Sequence, residues 1–349
     1  MDSPKVTVLM SVYNGEKYLK EAVESILSQT FRDFEFIIIN DGSTDSTPAI
    51  LAYYQEMDTR IRVYHQENQG LIASLNRGCQ LARGKYIARM DADDISLPER
   101  LTRQADYMEA HPEIGVLGTW IEPIDENSKP LGTWHLPTPT SPGLVRWSLL
   151  FWNCVAHPSV VMRRDVIEPL GFYRREAIHT EDYDLWARAW FVTQIANIPE
   201  ILVRYRVWQG GSTARHSETM YQYTVSVAYS IIVRLLGSDV SLETVSSLRR
   251  VVIGLPLANL QQIDQVATLV KQLHRVYLNT TSLNRTEVRE VAQDAAIKLL
   301  TLAASAAIKL SLWKGFIIFI QALRLNPRLL PPRIITKGMR VLVRWALKR

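Results

Sequence analysis

The sequence is poor in cysteine and has no apolar run long enough to cross a membrane. Only two of its 349 residues are cysteines, Cys79 and Cys154, and their spacing fits neither a metal site nor a disulfide framework. Apolar stretches such as residues 316–320 stay far below the ~18 residues that a membrane span needs. Residues 1–5 also lack the basic start of a signal peptide. We therefore expect a cytoplasmic protein whose two cysteines fill its core.

Acidic residues are absent from the last 55 positions, although those positions hold 11 of the 40 lysines and arginines. The formal net charge of the chain is +5, so the first 294 residues carry −6. Within the tail, basic residues recur at steps of three or four between Arg333 and Lys348, which places them on one face of a helix. This pattern indicates either a helix on an anionic membrane surface or a solvated face of a docked helix. Nothing in the acidic body indicates a nucleic-acid groove.

A glycine-rich phosphate loop is also missing. The first strand-to-helix turn offers only Asn14-Gly15, which argues against a dinucleotide-binding or P-loop enzyme. Apolar runs nevertheless alternate with amphipathic segments from residue 6 to residue 90, a pattern that predicts an α/β fold with a mostly parallel central sheet. From about residue 216 only helical patterns follow, so we expect two domains, 1–215 and 216–349, the second all-α.

Polar residues follow three of the predicted strands at their carboxyl ends, where open α/β sheets bind ligands. Ser11 and Tyr13 follow the first strand, Asp41 the second, and Asp91-x-Asp93 the fourth. A tyrosine ring can stack on a base, an aspartate can accept a base N–H, and paired carboxylates suit Mg²⁺ or Mn²⁺ on a diphosphate. The alternative is structural: residues 96–99 form a capping-box pattern, so the acids could simply precede a helix.

Four motifs, in their order and spacing, resemble the family 2 glycosyltransferases: Val8-Leu9-Met10-Ser11-Val12-Tyr13-Asn14-Gly15, Ile39-Asn40-Asp41-Gly42-Ser43-Thr44-Asp45, Leu75-Asn76-Arg77-Gly78 and Met90-Asp91-Ala92-Asp93-Asp94. The resemblance covers residues 5 to 215. It implies a GT-A fold whose nucleotide-sugar site contains Ser11, Tyr13, Asp41, Asn76, Asp91 and Asp93, with Asp93 on the metal. Many relatives have histidine where this chain has Trp208. Arg204 or Arg206 is a candidate to compensate electrostatically for the missing histidine.

A second acidic motif, Glu181-Asp182, opens a predicted helix capped by Thr180. Acids there can stabilise the helix dipole, but an inverting transfer needs a carboxylate that accepts the acceptor's hydroxyl proton. The resemblance assigns that role to Asp182. We place Glu181, His157 and Trp186 on the acceptor side.

The resulting prediction is an inverting glycosyltransferase that uses a nucleotide-sugar donor, UDP-sugar favoured, with a divalent ion, Mn²⁺ or Mg²⁺. Its acceptor is expected to be a hydroxyl of a glycan or lipid-linked molecule, and its place the inner face of the cell membrane. The alternatives are a nucleotidyltransferase and a catalytically silent nucleotide-sugar-binding scaffold.

Overall fold

The computed structural model describes residues 3–132, 138–208, 217–237, 240–309 and 311–326. The chain divides into two compact units. The first consists of Met1–Leu149 and Asn153–Val227, and the second of Leu150–Trp152 and Ala228–Arg349.

One sheet organises the first unit. Among the described residues its strands are Val6–Val12 (β1), Phe34–Asp41 (β2), Ile61–Gln66 (β3), Tyr86–Asp91 (β4), Ile95–Ser96 (β5), Ile114–Ile124 (β6), Val161–Arg163 (β7) and Gln194–Arg206 (β8). They lie in the order β3-β2-β1-β4-β7-β6-β8-β5. The pairs among β1, β2, β3 and β4 are parallel, as is β6 with β8, while β7 and β5 pair antiparallel with their neighbours. The predicted α/β fold is confirmed, with a mixed second half.

Helices cover this sheet because the strands are apolar on both faces. They are Leu19–Leu27 (α1), Thr47–Met57 (α2), Leu71–Leu81 (α3), Arg100–Ala110 (α4), Pro142–Ser148 (α5), Arg164–Ile167 (α6) and Glu181–Ala189 (α7). In α1 the apolar residues at helical spacing are the buried ones: Leu19, Ala22, Val23 and Ile26.

The core of the first unit is built around the central strands. Val8, Met10, Phe36 and Ile38 are completely buried in one hydrophobic cluster with residues of α1 and β4. Truncating such a side chain, for example Ile38→Ala, costs about 2–5 kcal/mol. This core fixes the carboxyl ends of β1, β2 and β4 at one edge of the sheet. Cys79 and Cys154 are both buried in the core, as predicted.

The capping-box interpretation of residues 96–99 is wrong. Ser96 belongs to β5, which pairs with Val203 and Arg204 of β8, and its N–H donates to Ser25 Oγ at 3.0 Å. The helix begins later, at Arg100, and its N-cap residue Glu99 makes no side-chain capping bond. Long-range strand pairing therefore outweighs the local capping pattern, and Asp94 does not lie at a helix N-terminus.

After residue 216 the described chain is helical, as predicted. The helices are Ser217–Leu236 (α8), Leu242–Val252 (α9), Leu260–Thr280 (α10), Arg285–Lys309 (α11) and Leu312–Leu325 (α12). Ser241, Asn259 and Ser311 cap three of them through their side chains. In the described ranges, no helix has the length and apolarity of a membrane-spanning segment. The basic segment from Arg333 to Lys348 lies outside the described residues.

Candidate active site

The loops after β1 and β2 are joined by hydrogen bonds at the carboxyl edge of the sheet. Asn14 N–H donates to Ser43 Oγ at 2.9 Å, and Asn14 Oδ1 accepts from Thr44 N at 2.8 Å. Gly15 N–H donates to Thr47 Oγ1 at 2.9 Å. These contacts leave Tyr13 54% exposed at this edge of the sheet. Stacking on a base requires such an accessible ring.

Asp41, at the end of β2, is buried and organises the neighbouring loop. Its carboxylate accepts hydrogen bonds from Gln66 Nε2 at 2.7 Å and from the N–H groups of Gln69 and Gly70, both at 2.9 Å. The loop passes so close that a Cβ on Gly42 would lie 2.7 Å from Asn68 N, and Gly42 has a φ of +75°. Only glycine fits this turn without strain. A base that bonds to Asp41 would therefore approach a carboxylate already held in place.

The acids after β4 form a cluster. Oxygen atoms of Asp91, Asp93 and Asp94 all lie within 4.8 Å of one another, and the register places Ser11 of β1 beside Asp91. Asp94 Oδ2 is buried, and none of the described residues offers it a hydrogen bond. Burial and then the charges of Asp91 and Asp93 raise the pKa of Asp94 well above its usual range. An orphaned buried oxygen within an all-oxygen cluster is an arrangement that a hard divalent cation would stabilise.

Arg206, near the end of β8, fixes the turn that carries these acids. Its backbone N–H donates to Asp94 Oδ1 at 2.8 Å, and its Nε donates to the Asp93 carbonyl at 2.7 Å. The other guanidinium nitrogens bond to Glu21, to the Asp125 carbonyl and to Ser128. Arg204 pairs with Glu122 at 3.0 Å. Both arginines considered as compensating charges are thus engaged in protein contacts.

Arg89 is a functional residue that the sequence analysis left without a role. It lies two positions before Asp91 on the same face of β4, is buried, and forms an ion pair with Asp91. Burial raises the pKa of four nearby carboxyl groups, and the positive charge of Arg89 opposes that rise in each of them: Asp93, Asp94, Glu181 and Asp182. The two acidic motifs are about 90 residues apart in sequence. Both therefore interact with the buried positive charge of Arg89.

The Glu181–Asp182 pair opens α7, as predicted. Thr180 is the N-cap residue but its side chain makes no capping bond. Asp182 Oδ2 accepts a hydrogen bond from Asn153 Nδ2 at 2.7 Å, and Oδ1 accepts one from the Tyr183 N–H at 2.6 Å. Asn153 is a second residue that the sequence analysis missed, since no local pattern marks it.

Burial raises the pKa of both carboxyl groups in this pair. That of Glu181 is raised to about 7, by desolvation and then by the adjacent Asp182. Desolvation also raises the pKa of Asp182, while the N–H donors of Tyr183 and Asn153 oppose the shift. A carboxylate with a raised pKa accepts a proton more readily, so the environment of Asp182 suits a general base.

The other three predicted site residues are largely enclosed. The side-chain amide of Asn76 makes two hydrogen bonds to the backbone of Tyr173. Its Nδ2 donates to the Tyr173 carbonyl at 2.8 Å, and its Oδ1 accepts from the Tyr173 N–H at 2.9 Å. The Tyr173 hydroxyl lies 2.9 Å from His157 Nε2, and His157 is buried, with its pKa held well below the usual range by desolvation and by Arg89. Trp186 is fully buried against His157, so it offers no exposed face for stacking on an acceptor. All three side chains are therefore engaged in contacts with the protein.

Comparison with known proteins gives the family. Residues 7–171 match the family profile described as glycosyl transferase family 2. An uncharacterized glycosyltransferase of Methanocaldococcus jannaschii is 39% identical over 216 residues, 59% of this chain and 72% of that protein. The O-antigen biosynthesis glycosyltransferase WbnJ of Escherichia coli is 34% identical over 223 residues, 62% of this chain and 85% of WbnJ.

Solved structures give the same fold at low sequence identity. TarS residues 1–349 of S. aureus, in complex with UDP-GlcNAc, superposes with a TM-score of 0.56 at 18% identity, covering 93% of this chain and 92% of that one. The mannosyltransferase PcManGT of Pyrobaculum calidifontis, in complex with GDP-Man and Mn²⁺, gives 0.55 at 16% identity, with coverages of 93% and 88%. The chain is a GT-A glycosyltransferase and belongs to glycosyltransferase family 2.

Proposed function

We propose that this glycosyltransferase moves a sugar from a nucleotide-diphosphate donor, preferably a UDP-sugar, to a hydroxyl of a glycan or lipid-linked acceptor, with inversion at the anomeric carbon. The observation that carries the proposal is the meeting of two acidic motifs around Arg89. The motif with Asp91, Asp93 and Asp94 has the chemistry of a site for a cation and a diphosphate. The Glu181–Asp182 motif has that of a general base. An inverting transfer needs both, on opposite faces of the donor sugar.

The donor's nucleotide end is assigned to the crevice between the loops after β1 and β2. Tyr13 supplies an exposed ring for the base, and Asp41 supplies an acceptor for a base N–H. Ser11 lies beside Asp91 at the centre of the sheet edge, where the sugar and phosphates would pass. Asn76 acts there through Tyr173, whose backbone it holds. TarS was solved with UDP-GlcNAc, which supports a UDP-sugar as the first donor to try.

Asp93, with Asp91 and Asp94 beside it, would hold Mn²⁺ or Mg²⁺. The orphaned Asp94 oxygen and the hard oxygen donors fit such an ion. When bound, a divalent ion offsets the negative charge of the leaving diphosphate. The carboxylates themselves position the turn, and Arg89 lowers the repulsion among them before any ion arrives.

Asp182 would take the proton from the acceptor hydroxyl. The Asn153 amide and the Tyr183 N–H hold its two oxygens, so the carboxylate is oriented before the acceptor binds. Glu181, with a pKa of about 7, is available to hydrogen-bond the acceptor in either protonation state. His157 Nδ1 lies 3.9 Å from Glu181 Oε1, and because burial lowers the pKa of His157 the imidazole there is neutral.

The acceptor is proposed to belong to polysaccharide or glycolipid synthesis at the inner face of the membrane. WbnJ is named for O-antigen biosynthesis, and the basic tail offers an attachment to anionic lipid. A nucleotidyltransferase would not require a general base such as Asp182 beyond the sheet. A catalytically silent scaffold would not require intact carboxylates at positions 91, 93 and 182. Family membership favours transfer over both.

A thermal-shift panel tests the donor. UDP, GDP and a set of their sugars are added with and without MnCl₂, and the correct donor should raise the melting temperature only with metal, because a ligand bound to the native state stabilises it by mass action. The matched control is Asp93→Asn, which should lose the metal-dependent part. An equal shift in both proteins would remove Asp93 from the metal site.

A further inference from the structure

Trp208 is hydrogen-bonded to the carboxylate that we assign to the metal. Its indole Nε1–H donates to Asp93 Oδ2 at 2.9 Å, across 115 positions of sequence. An indole has one N–H donor and no acceptor, so Trp208 has no lone pair with which to coordinate a metal ion. Its effect on a metal must therefore act through Asp93.

The contact belongs to a packed structure rather than to a loose side chain. The Trp208 ring meets the edge of Tyr18 in a T-shaped contact, with centroids 5.6 Å apart and planes at 70°. The Arg206 guanidinium lies 4.2 Å from the Tyr18 centroid and also holds the Asp93 carbonyl. Residues 206 and 208 thus fix both the main chain and the side chain of Asp93.

Each carboxylate oxygen has two lone pairs, and the Trp208 N–H takes one of the two on Oδ2. The bond fixes the rotation of the carboxylate and competes with a cation at Oδ2, so a cation that leaves the bond intact is favoured on Oδ1. Mg²⁺ and Mn²⁺ accept single carboxylate oxygens in octahedral sites, whereas Ca²⁺ takes 6–8 oxygens and often binds a carboxylate through both. The bond therefore bears on which ion the site prefers.

We propose that Trp208 is a positioning residue that makes the site selective for Mg²⁺ and Mn²⁺ over Ca²⁺, because its hydrogen bond favours coordination of Asp93 through one oxygen. This inference rests on the metal site proposed above. It adds that the preference is set by a residue that does not touch the metal.

The test is a calorimetric titration of MnCl₂ and of CaCl₂ into the full-length protein, comparing wild type with Trp208→Phe. Phenylalanine keeps a ring against Tyr18 but removes the N–H. Loss of a group that orients a metal ligand lowers affinity roughly 10–100-fold. We expect Mn²⁺ affinity to fall in that manner and Ca²⁺ affinity to hold or rise, so the Mn²⁺ to Ca²⁺ affinity ratio should drop about tenfold or more. A ratio equal to that of wild type overturns the inference.

Two further variants separate the possible failures. Tyr18→Phe removes only the phenolic hydroxyl and retains the ring beside Trp208, so its affinity ratio should match wild type. A drop equal to that of Trp208→Phe would instead make packing, not the N–H, the cause. Asp93→Asn should lose Mn²⁺ binding. If it binds Mn²⁺ like wild type, the proposed metal site fails, and the role of Trp208 fails with it. Loss in Asp93→Asn with an unchanged ratio in Trp208→Phe would refute only the role of Trp208.

Discussion

Asn153 donates its side-chain amide to Asp182, with 2.7 Å between Nδ2 and Oδ2, although the two residues are 29 positions apart in the chain. The amide oxygen Oδ1 of Asn153 accepts a hydrogen bond from the Val155 N–H at 3.3 Å, so the orientation of Asn153 is fixed by its own loop. A neutral donor on a carboxylate favours the ionised form, which is the form a general base needs.

Asn153→Leu should impair catalysis without impairing donor binding. Removing the donor raises the pKa of Asp182 further, so the acidic limb of the kcat–pH profile should move to higher pH and kcat should fall at pH 7. Asn153→Asp, with a like charge in place of the amide, should move the limb further in the same direction. A profile that coincides with wild type in both variants would show that Asn153 has only a structural role. Donor affinity, measured by calorimetry with UDP and MnCl₂, should stay within a few fold of wild type.

Glu181 should make the protein less stable as the pH rises through the range between its unfolded and folded pKa values. Its pKa is raised from 4.5 to about 7, so in that interval the native state keeps a proton that the unfolded state has lost. Stability is unaffected below pH 4.5 and falls between pH 4.5 and 7, by roughly 3 kcal/mol for a shift of that size.

Glu181→Gln, which cannot ionise, should remove that loss. Urea unfolding at pH 5 and pH 8 is the measurement, and the variant should gain stability relative to wild type only at pH 8. A constant difference between the two proteins at both pH values would contradict the raised pKa.

Removal of the basic tail should detach the protein from anionic membranes. Deletion of residues 333–349 should abolish sedimentation with vesicles that contain phosphatidylserine, while leaving the melting temperature of the remaining chain close to that of wild type. Wild-type binding should weaken at high salt, because the attraction is screened.

A charge variant distinguishes attraction to lipid from loss of an apolar helix face. It replaces five basic residues by glutamine: Arg333, Lys337, Arg340, Arg344 and Lys348. Electrostatic attachment predicts the same loss as the deletion. Unchanged vesicle binding by the truncated protein would refute a membrane role for the tail.

The parts of the fold and site that the sequence predicts are those encoded by local patterns. The alternation of apolar and amphipathic segments between residues 6 and 90 predicts an α/β sheet, and the structure has one. The positions of Asp41 and Asp91 at strand ends follow from apolar runs that stop. The two-residue strand β5 has no such pattern and exists because β8 offers it a partner, which is why the capping-box interpretation of Ser96 failed.

The contacts that sequence reasoning missed are long-range. Arg89 stands in an apolar strand as a buried charge, and that anomaly is a signal that could have marked it, because a buried arginine needs acidic partners. Asn153 carries no such signal, and the resemblance marks Trp208 only as a departure from the histidine of many relatives. Their roles depend on partners that only the folded chain brings together.

The assignment of Asp182 as the base is tested most directly by Asp182→Asn. The amide is nearly isosteric and can still accept a hydrogen bond from an acceptor hydroxyl, but it cannot take the proton, and loss of a general base costs about 10²–10⁴-fold in rate. Turnover is measured as UDP release during transfer, with the donor that the thermal-shift panel identifies, beside donor affinity by calorimetry. We predict a loss of kcat of that size with donor and metal affinity within a few fold of wild type. A variant that turns over within a few fold of wild type would contradict the assignment, and a collapse of donor affinity would place Asp182 in the nucleotide site instead.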